Sequence, residues 1–453
     1  MGTIWDTIII ILIMGTGLYL TWKCGFIQLT KFGYAIRNTI GKIFSGKAGD
    51  GEITPLQAVS TALAATVGTG NISGVITAIA LGGPGALVWL WISALVGMCT
   101  KYVEVVLAVK FRERNSNGDW VGGPMYYIKN GLGKSWDWLG IVFCIAGAIA
   151  AFGIGNAIQV GNICDAVNTA VRFLNSDVII EPKAISLLVG ILSAAFVGVI
   201  IFGGIKRLGS VTEKLVPIMS LIYIFSCLGV IIININYLGD AFSWIFKSAF
   251  KPEAVVGGAV GITVKSGISW GIRRGVFSNE AGLGSSPIAH ASTSETNPVK
   301  QGMFGIFEVF MDTIVICSLT GFAILTSRVP ICYGTLEGNE VIIDAFTCLL
   351  GKDLAIIVVA VVIGFFALLT ILGWGLYGAR CCEYVFGGKS IKPYQITFVL
   401  ATALSSVLDL SVIWSISDAL NGLMIVPNLI AVMALSGVAA KITKDHFKRE
   451  RLG

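Results

Sequence analysis

The sequence predicts an all-α polytopic membrane protein with eleven transmembrane helices, in which an inverted 5+5 repeat (spans two to six and seven to eleven) follows one extra N-terminal helix. Composition is the first reason, because 55% of the residues are apolar and only 13% are charged, about half the charged fraction of a soluble domain. Eleven apolar segments are long enough to cross a bilayer. Glycine-rich interruptions in two of them, at matching places, are typical of transporters with inverted repeats.

About 20 apolar residues cross the hydrocarbon core of a bilayer. By that rule the predicted spans cover residues 4–22, 55–81, 85–110, 138–172, 183–204, 213–235, 255–290, 301–327, 340–380, 394–410 and 411–440. The first span lacks a basic flank and a small-residue cleavage site, which favours a retained helix over a signal peptide. The polar stretches 23–53 and 111–137 are too short for soluble domains and are predicted to be surface helices or loops.

The chain is predicted to have four parts. Residues 1–53 form the extra N-terminal transmembrane helix and a cytoplasmic loop, 54–235 the first five-helix repeat, 236–440 the second five-helix repeat, and 441–453 a basic cytoplasmic tail. Because five is an odd number, the second repeat enters the membrane from the opposite side, which makes the repeat inverted.

The distribution of Lys and Arg predicts the orientation. Connections after odd-numbered spans, with the C-terminal tail, carry 24 of these residues, and the opposite side carries 5. Basic loops remain in the cytoplasm, so the N-terminus is predicted to lie outside and the C-terminus inside the cell (plasma) membrane. Orientation in the lipid bilayer also explains the net charge of +6, and neither nucleic acid nor an obligate protein partner is predicted.

The ten cysteines form no C-x-x-C pair and are interpreted as small buried hydrophobic residues.

The most informative stretch is Thr66-Val67-Gly68-Thr69-Gly70-Asn71, within the second span. Two glycines two residues apart weaken a helix. Unwinding frees carbonyl groups that can hold a cation and amide groups that can hold a carboxylate. Such groups are tolerated in a membrane only where they line a cavity. The alternative reading is that these glycines serve close helix packing, but matched interruptions in both halves favour a substrate site.

Three further motifs carry a family resemblance. They are Gly82-Gly83-Pro84-Gly85-Ala86-Leu87-Val88-Trp89-Leu90-Trp91 through Gly97-Met98, Gly122-Gly123-Pro124-Met125-Tyr126-Tyr127, and Phe277-Ser278-Asn279-Glu280-Ala281-Gly282-Leu283-Gly284. Over residues 54 to 295 the chain resembles the alanine or glycine:cation symporter family (sodium:alanine symporters), with departures at Val88 and Leu90, where that family usually has Phe and Met. The stretch 66–71 is also similar to the Ala-Val-Gly-x-Gly-Asn segment of leucine-transporter-type sodium symporters. The resemblance implies sodium-coupled uptake of alanine or glycine on that fold.

The resemblance also implies binding residues. Backbone amides of Thr69 and Gly70, beside Asn71, would hold the substrate carboxylate. A sodium ion, the coupling ion, would be held by residues of the second and ninth spans: the carbonyls of Ala64 and Val67, with Ala367 and the hydroxyl of Thr370. The usual second hydroxyl is replaced by Ile371, which thins this coordination, and Thr370 can instead bond back to its own helix. Thr66 and Asn71 fit a possible second sodium site beside the carboxylate.

The interruption of the seventh span has two candidate positions, Gly267–Gly271 and Ser278–Gly282. Counted from a start near residue 255, the first lies at mid-depth, so Ser269 and Trp270 are predicted to contact substrate. Arg273, Arg274 and Glu280 would then lie in the cytoplasmic half as ion pairs of a gate or as a solvated helix end.

Further polar and aromatic residues are candidates for the pocket. Phe152, Asn156 and Gln159 share one helical face at i, i+4 and i+7, where amides need either substrate or a neighbouring helix as partner. Trp374, one turn beyond Thr370, would limit the size of the substrate side chain.

Four intramembrane carboxylates, Glu104, Glu308, Asp312 and Asp418, are costly in a bilayer. They either relay protons, which would make the protein a proton-coupled symporter, or pair with Lys101 and with helix ends.

An uncoupled facilitator is the other alternative to a sodium-coupled symporter, although the sequence has no filter-like ring of charges. An enzyme finds no support, because there is no P-loop, metal-ligand cluster or H-E-x-x-H motif.

Overall fold

The computed structural model describes residues 2–43, 53–174, 181–251, 262–336, 338–408 and 410–450. In the first part of the chain the α-helices are α1 (Gly2–Lys23), α2 (Ile27–Thr30), α3 (Phe32–Ile43), α4 (Pro55–Thr66), α5 (Ser73–Gly82), α6 (Ala86–Lys110), α7 (Pro124–Tyr127), α8 (Asp137–Phe152), α9 (Ile158–Leu174), α10 (Pro182–Ile201) and α11 (Gly204–Ile233). Two short antiparallel strands, β1 (Glu113–Arg114) and β2 (Trp120–Val121), lie in the polar connection after α6.

The second part of the chain is also helical. Its α-helices are α12 (Leu238–Phe250), α13 (Val264–Asn279), α14 (Ser286–Ala291), α15 (Pro298–Val309), α16 (Ser318–Ser327), α17 (Glu340–Leu350), α18 (Lys352–Phe386), α19 (Ile391–Ser405), α20 (Leu410–Ala434) and α21 (Ser436–Glu450). Wider π turns cover Ile128–Leu132, Gly153–Ala157 and Phe310–Cys317, and tighter 3₁₀ turns cover Thr69–Asn71, Lys134–Trp136, Ile235–Tyr237 and Gly388–Ser390.

The described helices are those of a multi-pass membrane protein. Six helical segments are long and apolar enough to cross a membrane, and two bent pairs raise this number to eight. The six segments are Ala86–Lys110, Lys134–Leu174, Pro182–Ile201, Gly204–Ile233, Pro298–Ser327 and Lys352–Phe386. Eleven transmembrane helices and the inverted repeat therefore remain predictions, and the seventh predicted span falls partly outside the described residues.

Two predicted spans have different bounds in the structure. The span predicted over 340–380 is divided at Gly351, whose φ of +74° interrupts the helix, so its long helix runs from Lys352 to Phe386. The span predicted over 411–440 is bent by 55° after Ala434. The helix beyond the bend carries the polar and basic residues of the C-terminal tail, which do not suit an apolar span.

Two discontinuous helices pack against each other in the interior. The chain breaks once between α4 and α5 and again between α13 and α14. Helix α13 packs along α5 and α6, while α14 packs against α4, so the two breaks lie side by side. The start of α4 is fixed by a capping box, in which the Thr54 hydroxyl accepts from the Gln57 amide and the Gln57 side chain accepts from the Thr54 amide.

Candidate functional site

The first break has the position that the glycine pattern predicts. Helix α4 ends at Thr66, Gly68 is extended, a single 3₁₀ turn follows over Thr69–Asn71, and the two flanking helices differ in direction by 58°. Gly68 is required here, because a Cβ atom on it would lie 2.4 Å from Oγ1 of Thr370. The interruption predicted within the second span is confirmed.

A cavity of about 900 Å³ connects this break to one face of the protein. It is lined by Thr69, Gly70, Ser73, Gly74, Thr77, Asn162, Asp165, Asn168, Thr169, Arg172, Pro182, Trp270, Arg273, Arg274, Phe277, Leu336, Gly338, Asn339 and Glu340. Pro182 and Leu336 are exposed at its mouth, on the face that the Lys and Arg count predicts to be extracellular. The backbone of the break therefore forms the inner end of a cavity that is open to this face.

The hydroxyl of Thr69 links the break to α9. It donates a hydrogen bond of 3.0 Å to Oε1 of Gln159 and accepts one of 3.1 Å from Nδ2 of Asn162. The Gln159 amide also donates to the carbonyl of Ile154 in the π turn that precedes α9. Thr69 and Gln159 are almost fully buried, so this network fixes the first amide groups of the 3₁₀ turn at the inner end of the cavity.

Two aromatic side chains from α13 line the same cavity. A Cβ atom added to Gly70 would lie 3.4 Å from the Phe277 ring, and a ring atom of Phe277 is thus in contact distance of the break. The Trp270 ring lies farther out, with the guanidinium groups of Arg273 and Arg274 each 5.4 Å from its centroid. The inner end is narrow and aromatic, whereas the outer part carries charge.

On its other side the break contacts a buried carboxylate. Nδ2 of Asn71 donates a 2.8 Å hydrogen bond to Oδ1 of Asp312, and Oδ1 of Asn71 accepts from the Gly68 amide at 2.8 Å. Oδ2 of Asp312 accepts from the hydroxyls of Ser278 and Thr313 at 2.8 and 2.7 Å. No described Lys, Arg or His lies within 4 Å of Asp312, so its charge is held by neutral donors.

The residues expected around a sodium ion lie near one another. Thr370 on α18 faces Gly68, and one turn farther on Gly373 packs against Ala65 on α4. Ala64, Val67 and Ala367 are buried at this crossing. The Thr370 hydroxyl donates to the Phe366 carbonyl at 3.0 Å, which is the back-bond that membrane threonines commonly make.

Two of the three predicted pocket residues on the fourth span face elsewhere. The Phe152 ring packs against Tyr394 and Phe398, and Asn156 donates to the Phe398 carbonyl and the Thr402 hydroxyl, all on α19. The prediction that they share the face of Gln159 assumed an unbroken α-helix. The π turn over Gly153–Ala157 inserts an extra residue into one turn, and this rotates Gln159 away from them toward Thr69.

Trp374 and Ser269 also do not line the cavity. The indole of Trp374 is 1% exposed, packs against Gly155 and donates a 2.9 Å hydrogen bond to Oε1 of Glu280. Ser269 is half-buried on the neighbouring face of α13, while Trp270 reaches the cavity. Trp374 was expected to limit the size of the substrate side chain, but it does not line the cavity. Phe277 does line it and is the candidate for that role in this structure.

The break of the seventh span lies at the second candidate position. Helix α13 is continuous through Gly267–Gly271 and ends at Glu280, whose φ is +54°. It is capped by Thr263 and begins at Val264, nine residues later than the predicted start, a shift of about 13 Å along a helix. Arg273 and Arg274 consequently line the same cavity as Pro182, and their expected placement in the cytoplasmic half stays a prediction that depends on the orientation of the chain.

Three residues of the site were not predicted from the sequence as binding residues. The first is Asn162, one turn beyond Gln159. The second is Phe277, the first residue of a motif that was used only for the family resemblance. The third is Asp312, which was considered only as one of the intramembrane acids. The spacing of Gln159 and Asn162 on one face was a signal for the first. The contacts of Phe277 and Asp312 with the break depend on tertiary packing. The fourth acid of that group, Asp418, has its side chain outside the described part of the chain.

Comparison with known proteins agrees with this geometry. The model of the sodium:alanine symporter family matches residues 1–453. The chain belongs to the sodium:alanine symporter family. It is 41% identical to the sodium/alanine symporter AgcS of Methanococcus maripaludis over 97% of this chain and 94% of that protein. It is 33% identical to the probable sodium/glutamine symporter GlnT of Bacillus subtilis, covering 99% of this chain and 90% of the relative.

The fold of this family member is also seen in a solved structure. The crystal structure of MhsT in complex with L-phenylalanine superposes with a TM-score of 0.59, covering 88% of this chain and 99% of that one, at 14% identity. Family membership identifies the chain as a transporter rather than an enzyme, with sodium-coupled amino-acid symport as its general activity.

Proposed function

We propose that the protein carries alanine and glycine into the cell together with sodium, by alternating access at the break between α4 and α5. The observation that carries the proposal is the cavity that is open to one face and ends on the backbone of Thr69 and Gly70. The first amide groups of a helical turn have no acceptor within that turn, and such groups favour a carboxylate. An amino acid that enters the cavity would place its carboxylate there.

The walls of the inner end suit a small side chain. Phe277 lies against Gly70, and Trp270 lines the approach. A side chain larger than a methyl group would meet the Phe277 ring, and overpacking typically costs about 1–3 kcal/mol. Glycine and alanine are therefore the expected substrates, and glutamine, the substrate in the name of GlnT, is the competing candidate.

The sodium ion that drives uptake would lie where α18 crosses the end of α4. The carbonyls of Ala64 and Val67 would contribute from the broken helix, with Ala367 and Thr370 from α18. Burial of this crossing supports the proposal, because carbonyl and hydroxyl oxygens in a dry site are the ligands that a hard cation prefers. Thr370 can contribute while it keeps this back-bond, because the hydroxyl donates its hydrogen to the Phe366 carbonyl and leaves its oxygen lone pairs for the cation.

A second sodium ion would bind between Thr66, Asn71 and the substrate carboxylate, and Asp312 would complete that site. A buried carboxylate whose donors are all neutral leaves an uncompensated negative charge inside the membrane. A sodium ion beside Asn71 would balance it, with Asn71 turning its amide oxygen toward the ion. The geometry that supports this site is the direct contact between Asn71 and Asp312.

We further propose that the N-terminus lies outside and the C-terminus in the cytoplasm, with five-helix repeats over 54–235 and 236–440. The cavity then opens outward, and the cytoplasmic side is closed below Gly70. Alternating access would exchange these two openings around a fixed site, as inverted repeats permit.

The test is uptake of labelled alanine into liposomes that contain the purified protein. Alanine should accumulate above equilibrium with an inward sodium gradient, and it should only equilibrate slowly when choline replaces sodium. Accumulation driven by a proton gradient without sodium would establish proton coupling instead. Equilibration with no accumulation under any gradient would establish an uncoupled facilitator.

A competition series separates the substrates. Unlabelled glycine and alanine should compete at similar concentrations, and leucine and phenylalanine should not compete. If glutamine competes at least tenfold better than alanine, the size argument based on Phe277 is wrong.

A further inference from the structure

A second polar cluster is buried on the side of the breaks away from the cavity. Its members are Lys101 and Glu104 on α6, Glu280 and Ser285 between α13 and α14, Ser286 and His290 on α14, Glu308 on α15, Tyr377 on α18, Asn428 on α20, and Tyr127 on α7. None of these residues lines the cavity that ends at Thr69 and Gly70. The substrate site and its sodium sites do not use them.

The charges in this cluster do not balance. Lys101 donates to Oε1 of Glu308 at 3.2 Å and to the Ser286 hydroxyl at 2.7 Å. Nε2 of His290 lies 3.0 Å from Oε2 of Glu308, while its Nδ1 lies 2.8 Å from the amide nitrogen of Gln301. Since Nδ1 faces a donor, the imidazole is neutral with its proton on Nε2. One ammonium group thus faces three carboxyl groups, Glu104, Glu280 and Glu308.

Three ionised carboxylates beside one ammonium in a dry membrane interior would cost several kcal/mol for each uncompensated charge. At least one carboxyl group must therefore hold a proton or contact a cation. The three groups differ in how well an anion is stabilised at each of them, and this difference identifies the protonated one.

Glu104 is the carboxyl group with the fewest side-chain donors. Glu308 accepts from Lys101, Ser286 and His290. Glu280 accepts from Ser285 on one oxygen and from the Trp374 indole on the other.

Among the described side chains, Glu104 accepts from Asn428 alone, on Oε1, with the Gly282 backbone also beside the carboxyl group, and its Oε2 is buried without a side-chain donor. A buried carboxyl oxygen without a side-chain donor indicates a ligand that is not a protein group.

We propose that Glu104 is a proton-binding site that exchanges its proton with the cytoplasmic side, and that loss of this proton accompanies opening to that side. Asn428 connects the two events, because its amide donates both to Glu104 and, at 2.8 Å, to the Gly282 carbonyl in the second break. The titratable and charged groups around Glu104 are Lys101 on its own helix, Glu308 with His290 in contact with it, and Tyr127, which donates to Asn428. Glu280 lies near the same Lys101 and Glu308. Once Glu104 ionises, the charge imbalance favours entry of water and separation of the helices.

In the described part of the chain neither Glu104 nor Asp312 has a basic partner within 4 Å, yet the two carboxyl groups suit different ligands. Asp312 has three neutral donors and contacts the break at the inner end of the cavity, which suits an ionised group that faces sodium. Glu104 has a single side-chain donor and lies away from the cavity, which suits a neutral acid.

The first test does not depend on transport. Infrared spectra of the purified protein at neutral pH should contain the carbonyl-stretch band of a protonated, buried carboxylic acid. The band should be lost in Glu104→Gln and should remain in the matched variant Glu113→Gln, whose carboxylate pairs with Lys129 at the surface. A spectrum of Glu104→Gln that still contains the full band, or a wild-type spectrum without it, would overturn the proposal.

The second test rests on the proposed transport function and uses membrane vesicles of uniform orientation. Lowering the pH on the cytoplasmic side should slow sodium-driven alanine uptake several-fold, and the same change on the cavity side should not. Glu104→Gln should lose this dependence on cytoplasmic pH. Failure of sodium to drive uptake at all would concern the proposed function alone, whereas an unchanged pH dependence in Glu104→Gln would contradict the proton site.

Discussion

The side-chain amide of Asn71 donates a 2.8 Å hydrogen bond to the carboxylate of Asp312. This contact joins the first broken helix to the π turn between α15 and α16, and it is completely buried. It places a negative charge beside the backbone that is proposed to bind the substrate carboxylate. Two negative groups at one position are stable only with a cation between them, which is the physical reason to expect coupling of sodium to substrate at this place.

Replacing Asp312 by Asn should weaken sodium. The change keeps the shape of the side chain but removes the charge, and a hydrogen-bonding or ligating contact to a charged group is worth about 1.5–3 kcal/mol. We therefore expect the sodium concentration for half-maximal alanine uptake to rise by about tenfold or more. Asp353→Asn, an exposed residue in the first turn of α18, is the control. An unchanged sodium requirement in Asp312→Asn would remove Asp312 from the cation site.

Replacing Thr370 by Ala should weaken sodium more than it weakens alanine. The hydroxyl faces Gly68 at the end of α4, whereas substrate contacts are proposed for the backbone of the 3₁₀ turn. Loss of one such group typically costs about 1–3 kcal/mol. Thr397→Ala is a matched control, because Thr397 makes the same 3.0 Å back-bond but is exposed on α19. Equal losses of sodium and alanine affinity in Thr370→Ala would indicate a structural role for the hydroxyl.

Replacing Phe277 by Ala should admit larger amino acids. The ring lies against Gly70, and its removal opens space in which each additional buried methylene group gains about 0.8 kcal/mol. Valine and leucine should then compete with labelled alanine, while sodium dependence is retained. Phe225→Ala, which removes a ring that is 66% exposed, should leave selectivity unchanged. If leucine is still excluded from Phe277→Ala, another wall of the cavity sets the size limit.

Gln159 and Asn156 should respond differently to replacement by Leu. Gln159→Leu leaves the Thr69 hydroxyl without its acceptor at the inner end of the cavity, so the alanine concentration for half-maximal uptake should rise by about tenfold. Asn156→Leu removes two hydrogen bonds to α19 and should lower the thermal unfolding midpoint in detergent with little change in alanine affinity. The reverse pattern would mean that the π turn does not separate the two side chains in the working protein.

The sequence was sufficient for some of the site because local chemistry decides it. The Gly68 and Gly70 pair weakens a helix wherever it occurs in a membrane, so the break after Thr66 was predictable from spacing alone. Pairing of Lys101 with a carboxylate was predictable as one of two outcomes, because a lone ammonium group is costly in a bilayer, and the structure pairs it with Glu308 at 3.2 Å.

Other parts of the site depended on helix geometry that composition does not reveal. Phe152 and Asn156 match the face of Gln159 only if the helix keeps 3.6 residues per turn, and the π turn over Gly153–Ala157 changes that register. Helix α13 begins at Val264, nine residues beyond the predicted start, and this shift places Arg273 and Arg274 at the cavity. Apolar periodicity does not fix such starts, because the residues before a cap can be as apolar as those after it.

By itself the sequence determined the class of the protein, its broken helix at Val67–Asn71 and its family, since burial of apolar segments in a bilayer and local backbone preferences are properties of neighbouring residues. Only the tertiary structure decided which side chains meet at the break. Phe277 reaches Gly70, Asp312 reaches Asn71, and Trp374 turns away to Glu280. The physical reason is that these contacts join segments separated by 94 to more than 200 positions, and their geometry follows from how the two broken helices pack against each other.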